Sequence, residues 1–413
     1  MINFSKYITE DKGGKNLHLE HIEDEILNYG IDGGRAAINF VQSLRDMLAG
    51  ASRSSVNMTV KWDGAPAIFA GIDPSDGKFF VAKKSVFNVN PKLYKSNADI
   101  DADTSGDLNA KFKVAFAEFP KLGIKGVLQG DLMFTDLEKE KIDGISYHTF
   151  QPNTIVYAVP VDSDLGRKMN SAKIGVVWHT TYEGDELQSM KAKFGADTSK
   201  MNKVSSIWMD DATYKDTAGQ ATMTQSETAD VTKSLSNAGK SFRTVNSGLL
   251  KSFLSIQASF TGNLAGASLK TYNNSKVRKG EPIGNPKAHA QGYLKWVEST
   301  FQKNIDKLKT PAKKKELEVK KQEVVRELKK HTTNLANILT FQNHIVDAKM
   351  GIVKKLNSVK QMTDTFIRTS NGFKVTNPEG FVAIDRVSGS AVKLVDRMEF
   401  SFNNFTAIKA WDR

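Results

Sequence analysis

The sequence predicts an α+β protein in which a mostly antiparallel sheet core is interrupted by a large α-helical insertion. Three observations carry that expectation. Strand-like apolar runs fill residues 51–185, lysine-rich patterns of helical period dominate the segment up to residue 365, and strand-like runs return after it. The organisation that follows is an N-terminal helical segment over 1–50, a first part of the core over 51–190, a basic helical insertion over 191–365 and a C-terminal part of the core over 366–413.

Each element has its own justification. Residues 17–50 read as two helical pieces broken at "YGIDGG". The second piece carries Ala36, Ala37, Phe40, Val41, Leu44 and Leu48 at helical spacing and stops at Gly50. "VNMTVKWDGAPAIFAGID" and "KFFVAKKSVFNV" are β-rich and joined by "DPSDG", a hairpin signal. Residues 100–119 read as a charged loop and a short amphipathic helix. "KGVLQGDLMF", "TIVYAVPV" and "KIGVVWHTTY" are buried-strand patterns. Two long helical patterns follow, separated at Pro311. "FIRTSNGFKV" and "EGFVAIDRVSGSAVKLVDRMEFS" then return to strand, the latter as two strands around a Ser-Gly turn. No internal repeat is present.

Composition narrows the function. The chain has 413 residues, no cysteine and a net charge of +12. Disulfides, zinc-thiolate sites and cysteine nucleophiles are therefore excluded. The charge points to a polyanionic partner, most often nucleic acid. Residues 301–330 alone hold eleven Lys/Arg against five Asp/Glu, half of the excess of the whole chain. The polar N-terminus is no signal peptide and no apolar run has membrane-spanning length, so the sequence predicts a soluble, cytoplasmic protein.

The chemistry-bearing pattern begins at "TVKWDGAP". A lysine ending an apolar strand beside a Gly turn is poorly placed for solvation. It is either an edge-strand residue that snorkels or a nucleophile. "LQGDLMF" places Asp131 after a glycine inside an apolar strand, where it caps a turn or binds metal. "EGFVAI" places Glu379 before Gly380 and a strand, as an ordinary turn or as a functional carboxylate. "VKLVDR" puts Lys393 in mid-strand, where an unpartnered lysine is costly.

In this order the motifs resemble those of the covalent nucleotidyltransferase superfamily, the ATP-dependent polynucleotide ligases and messenger-RNA capping enzymes. The resemblance covers residues 50–185 and 366–400. It implies an antiparallel-sheet nucleotidyltransferase core, ATP-grasp-like, around the helical insertion. "KWDG" resembles the nucleophile motif, making Lys61 the residue that carries the nucleotide, with Asp63 and Gly64 in the binding turn. "QGDLMF" resembles the third motif with Asp131 where the family has glutamate. "IVYAV" resembles the following strand motif, with Tyr157 as the ring that stacks on the base. In "EGFVAI" Glu379 is implied as a metal-binding carboxylate beside Asp131. "VKLVDR" supplies Lys393 for the α-phosphate, with Val395 where the family has a second lysine. "KKSVFN" puts Lys83, Lys84 and Ser85 at a short substrate-contacting motif.

The chemistry explains the residue types. A lysine amine attacks only when neutral, against an unperturbed pKa of about 10.4. Burial, a neighbouring cation such as Lys393 and a divalent metal all favour the neutral form. The resemblance thus implies ATP as substrate, with GTP as the lesser choice, and Mg²⁺ or Mn²⁺ held by Asp131 and Glu379. The implied activity is joining 5′-phosphate to 3′-hydroxyl ends through lysyl-AMP. RNA is favoured over DNA, because only twenty residues follow Lys393 and the DNA ligases place a further barrel there. The alternatives are a DNA nick-sealing ligase, a guanylyltransferase, nucleotidyl transfer to a protein, or a catalytically degenerate nucleic-acid-binding relative. Basic helices over 276–330 are the candidate grip on nucleic acid, and "SKVRKGEP" a basic loop within them. His18 and His21 read as surface or capping residues, and His148 and His179 as packing residues.

Overall fold

The computed structural model describes residues 20–50, 56–214, 221–359, 362–370, 372–385, 391–407 and 409. It is an α+β architecture. Its strands are β1 (Val56–Lys61), β2 (Ala67–Ile72), β3 (Phe79–Ala82), β4 (Val127–Phe134), β5 (Glu138–Ile142), β6 (Ile145–Phe150), β7 (Ile155–Pro160), β8 (Ile174–Glu183), β9 (Lys191–Phe194), β10 (Ile207–Asp210), β11 (Asp364–Thr369), β12 (Gly372–Val375), β13 (Gly380–Asp385) and β14 (Ala391–Leu394). The helices are α1 (Glu25–Leu48), α2 (Asn97–Asp103), α3 (Gly106–Glu118), α4 (Asp164–Met169), α5 (Gln225–Phe242), α6 (Ser247–Ala258), α7 (Leu269–Val277), α8 (Pro286–Lys307), α9 (Pro311–Asn357) and α10 (Phe402–Thr406). No helix among the described residues is long and apolar enough to cross a membrane.

The strands form three sheets. A three-stranded sheet has the order β1-β13-β14, a six-stranded sheet the order β10-β8-β4-β2-β3 with β9 on β8, and a five-stranded sheet the order β12-β11-β7-β6-β5. Pairing is antiparallel throughout except between β10 and β8. The sequence pattern did not separate these sheets. It also ended the β texture near residue 185, whereas β9 and β10 carry the six-stranded sheet on to Asp210. Strand texture after "KFFVA" stops as well, since Lys84–Phe87 forms a 3₁₀ turn.

The expected break in the first helical segment falls at Tyr29 and Gly30, whose backbone leaves the helical region. The six apolar residues read after it are all buried. They pack with α5 and α9 and with one face of the small sheet, through Phe381, Ala383, Val392 and Leu394. The small sheet therefore lies on the helical body. Its other face carries Val382, Ile384 and Ala391. Trp62, just past β1, belongs to a different core between the two larger sheets, with Met133, Phe150, Tyr157 and Trp208. Residues 62–66 thus bridge the small sheet and the six-stranded one.

Two ion pairs and a hydrogen bond join residues 23–24, Arg397 and α9. Lys349, fully buried, donates to both oxygens of Glu23 at 3.0 Å. Arg397 donates to Asp24 at 3.1 Å, and the Gln342 side-chain amide donates to the same carboxylate at 3.0 Å. Removing one partner of a buried pair strands an uncompensated charge. Lys349→Met is therefore expected to lower the unfolding free energy by about 3–5 kcal/mol. Glu23→Leu combined with it restores most of that loss, and denaturant unfolding of the two variants measures both effects.

Candidate functional site

The site is set by strand register. Lys61 is opposite Gly380 in the β1–β13 pair, and Val382 is opposite Lys393 in the β13–β14 pair. Opposed residues share a face, and so do residues two apart on one strand. Lys61 and Lys393 therefore flank the central strand on the face turned away from the helical body. Glu379 precedes Gly380, and its carboxylate is in direct ion-pair contact with the Lys61 ammonium. The Lys61 side chain keeps 27% of its surface exposed, against 8% for Glu379, so solvent reaches the pair from the lysine side.

Two glycines make the approach possible. Gly380 has φ +143°, and a Cβ there would meet the Leu394 carbonyl at 2.5 Å and Val395 at 3.0 Å. A Cβ on Gly64 would fall inside the Asp131 side chain and reach the Met133 sulfur at 3.0 Å. The turn after Lys61 is thus pressed against β4, and that contact brings Asp131 to the lysine. Backbone hydrogen bonds from Ala65 to Leu132 and from Leu132 to Pro66, both 3.1 Å, fasten it.

Asp63 is the anchor of this turn. Its carboxylate accepts from the Asn153 side chain at 2.7 Å and from the amides of Thr154 and Ile155 at 2.8 and 3.0 Å. It is turned inward and positions the loop, which corrects its assignment as a nucleotide contact. Tyr157 needs the same correction. It is 2% exposed, stacked on Phe150 and packed on Trp62, with its hydroxyl accepting from the Asp63 amide at 2.7 Å. No ring face is left for a base.

Electrostatics follow from burial. Burial pulls the Lys61 ammonium down, but Glu379, then Asp131 and Asp63, outweigh it and hold the group above its ordinary value. Burial pushes Glu379 up to about 7 despite Lys61. Lys393 is lowered by burial and then by Lys61. Lys61 and Glu379 thus feel each other and Asp131, and Lys393 feels Lys61 and Glu379.

Other assignments fall elsewhere. Lys83 pairs with Asp103 at 2.7 Å, Lys84 is exposed, and neither contacts the Lys61 group among the described residues. Ser85 lies within the 3₁₀ turn. Val395 is buried, so the position of a second family lysine is spent on packing. In loop 275–282 Lys276 meets Glu281 at 2.6 Å, and Arg278 lies over the Phe405 ring of α10 at 4.5 Å. His148 is buried as expected, and His18 lies outside the described residues.

Two histidines were missed. His179 faces Asp131, its Nε2 3.8 Å from the carboxylate. In β8, Trp178 and Thr180 pair with the consecutive residues Gly130 and Gln129, which leaves His179 as the extra residue of a bulge. Nothing in "VVWHTTY" marks that bulge. His21 is buried, against the surface reading, and bridges to Lys393 through the backbone. Its imidazole is held well below its usual range by burial, then by Arg397, Lys393, Lys349 and Lys270.

Among the described residues no group of three or more His, Asp or Glu is arranged around a metal position. Asp131 and Glu379 both act on Lys61 electrostatically, and Asp131 acts on Glu379. A cavity of about 650 Å³ lies away from Lys61, between α7, α9 and the segment after β14. Its Glu23, Asp24 and Glu281 are already neutralised by Lys349, Arg397 and Lys276.

Gly64→Ala is expected to cost about 2 kcal/mol or more, because backbone on both sides must shift to admit the methyl group. Asp63→Asn presents an amide donor to two backbone donors and loses about 1–3 kcal/mol. Thermal unfolding reads both; an unchanged midpoint for either variant would contradict the anchoring geometry.

The comparisons with known proteins place the chain by family alone. No curated protein and no solved structure matches it. A family model matches residues 16–409, and the chain accordingly belongs to DUF6267, a family of unknown function.

Proposed function

We propose that this protein is a nucleotidyl-transferring polynucleotide ligase, with Lys61 as nucleophile, ATP as nucleotide donor and RNA ends as substrate. The observation that carries the reading is the meeting of Lys61, Asp131, Glu379 and Lys393, drawn from four separate stretches of the chain, around one half-buried amine. A merely structural lysine needs one counter-charge. This one has a second cation and a second carboxylate within electrostatic reach.

In the proposed reaction the Lys61 amine attacks the α-phosphorus of ATP. The nitrogen–phosphorus bond forms, the bond to the β-phosphate oxygen breaks and pyrophosphate leaves. Glu379 is the nearest acceptor for the ammonium proton, and a carboxyl pushed up to about 7 is matched to that task at neutral pH. Lys393 supplies a positive charge on the same face, where it can hold the α-phosphate. Asp63 fixes the loop that aims Lys61. Asp131, with Glu379 once it has lost the proton again, would hold Mg²⁺ or Mn²⁺, which when bound neutralises phosphate charge. AMP then passes to a 5′-phosphate, and a 3′-hydroxyl displaces it. The lean to RNA rests on the sequence resemblance, and DNA is the alternative that the acceptor assay separates.

Buried Val395 favours a second reading, a relative that binds nucleic acid without catalysis. Intact mass separates the two. The protein is stripped with pyrophosphate, then incubated with ATP or GTP and Mg²⁺ or Mn²⁺. The expected result is a gain of one AMP, absent in Lys61→Ala. Because Lys61 is held protonated and Glu379, the acceptor of its proton, is pushed up to about 7, adduct formation should rise about tenfold per pH unit below that value and level off above it. No adduct with any triphosphate would leave only the binding reading.

A further inference from the structure

The basic stretch read along residues 276–330 is not one surface. In its first part Lys276 is held by Glu281, and on α9 Lys321 and Lys330 are held by Glu318 and Glu327. The other exposed cations, Lys279, Lys287, Lys295, Lys320, Arg326 and Lys329, are spread along the stretch, and the charge is densest at the turn between α8 and α9. Leu308–Thr310 connects the two helices, and Lys321 donates to Gln302 at 2.9 Å, so they run antiparallel as a hairpin. Val297, Phe301 and Ile305 pack against Val325 and Leu328 and close it.

That geometry gathers Lys303, Lys307, Lys309, Lys313, Lys314 and Lys315 at one end, with Asp306 the one acidic residue between positions 303 and 315. All six lysines are exposed, and no carboxylate among the described residues pairs with any of them. Three of them sit in the opening of α9, whose first turn holds no acidic residue. The helix dipole disfavours cations there, so the charge does not serve the stability of the helix.

The same helix fixes where this tip stands. Lys349, farther along α9, lies beside His21, and His21 bridges to Lys393. At 1.5 Å per residue, the helix between Lys349 and Lys313 is about 50 Å long. This matches roughly 15 base pairs of B-form duplex at about 3.4 Å each, and closer to about 20 of A-form RNA duplex, which rises less per pair.

We propose that the lysine tip grips the phosphate backbone of the nucleic acid whose end is processed at Lys61, about 15–20 base pairs from that end. This rests on the ligase reading for the position of the end; the grip itself rests on the charge. A row of unpaired, fully solvated lysines recognises backbone phosphate and carries no base preference. Each phosphate contact contributes about 0.9 to the slope of log affinity against log salt.

The test uses the full chain, nicked RNA duplexes with short and long arms, and a variant with all six lysines changed to glutamine. On arms longer than about 20 base pairs the variant should bind at least tenfold more weakly near 0.15 M salt, with a slope lower by about 3–5. On arms shorter than about 10 base pairs it should match the parent. Its lysyl-AMP formation and thermal midpoint should be unchanged. Equal affinity and slope for parent and variant on long arms would overturn the proposal, as would an equal loss on short arms. A parent that prefers phosphatidylserine vesicles to duplex, through the same lysines, would assign the tip to membranes instead and also overturn it. Lys61→Ala keeps the two ideas apart. Absence of adduct in the parent with tip-dependent binding intact sinks the ligase reading alone. Adduct formation with tip-independent binding sinks the grip alone.

Discussion

Everything in the candidate site hangs on β13 being a central strand. It pairs on one side with β1 and on the other with β14, and the first pairing joins residues as far apart as Thr59 and Val382, 323 positions along the chain. Register then does the rest. A slip by one residue would turn Lys61 or Lys393 onto the opposite face, into the apolar contact with α1 and α9. The hydrophobic face of this small sheet therefore specifies the charged one. Gly380 is the point where that specification is tightest, because the Leu394 carbonyl leaves no space for a side chain beside it.

Charge burial is the second theme. Lys61 with Glu379, Lys349 with Glu23, and Arg397 with Asp24 form a chain of pairs from the small sheet into the helical body. Such pairs add little net stability, since desolvation offsets much of the attraction. They do make alternatives expensive: any packing that separates one pair leaves a bare charge in an apolar setting. The Lys349–Glu23 pair is fully enclosed, Arg397–Asp24 is mostly so, and both fasten segments. Lys61 differs in keeping an opening to solvent, with 27% of its side chain exposed.

The fold was legible where the chain speaks in strong periods. The six apolar positions of α1, the split at Pro311, and strands such as β4, β7, β8 and β13 all followed from spacing. The partition into three sheets did not, because a period of two says which residues share a face and nothing about which strand lies alongside. β9 and β10 are four residues each, too short for alternation to register. In the site, the order of motifs gave Lys61, Asp131, Glu379 and Lys393. Tyr157 was misjudged because an aromatic residue in an apolar strand reads the same whether its ring faces a ligand or a core. His179 was missed because a bulge is a property of two strands together. The basic stretch at 276–330 was visible as composition, but only the antiparallel hairpin shows which of its lysines remain unpaired.

The long separation between β1 and β13 also orders events during synthesis. β1 emerges early, yet its partner leaves the ribosome only after both larger sheets' first strands and the whole helical body. At about 5–20 residues per second that interval is on the order of tens of seconds. Through it β1 has an open edge, which invites pairing with another strand. Once the helical body exists, it presents the apolar surface on which β13 and β14 can settle beside β1. The helical body thus acts as a template for closure, and Lys61 acquires its counter-charge only after that body has been made.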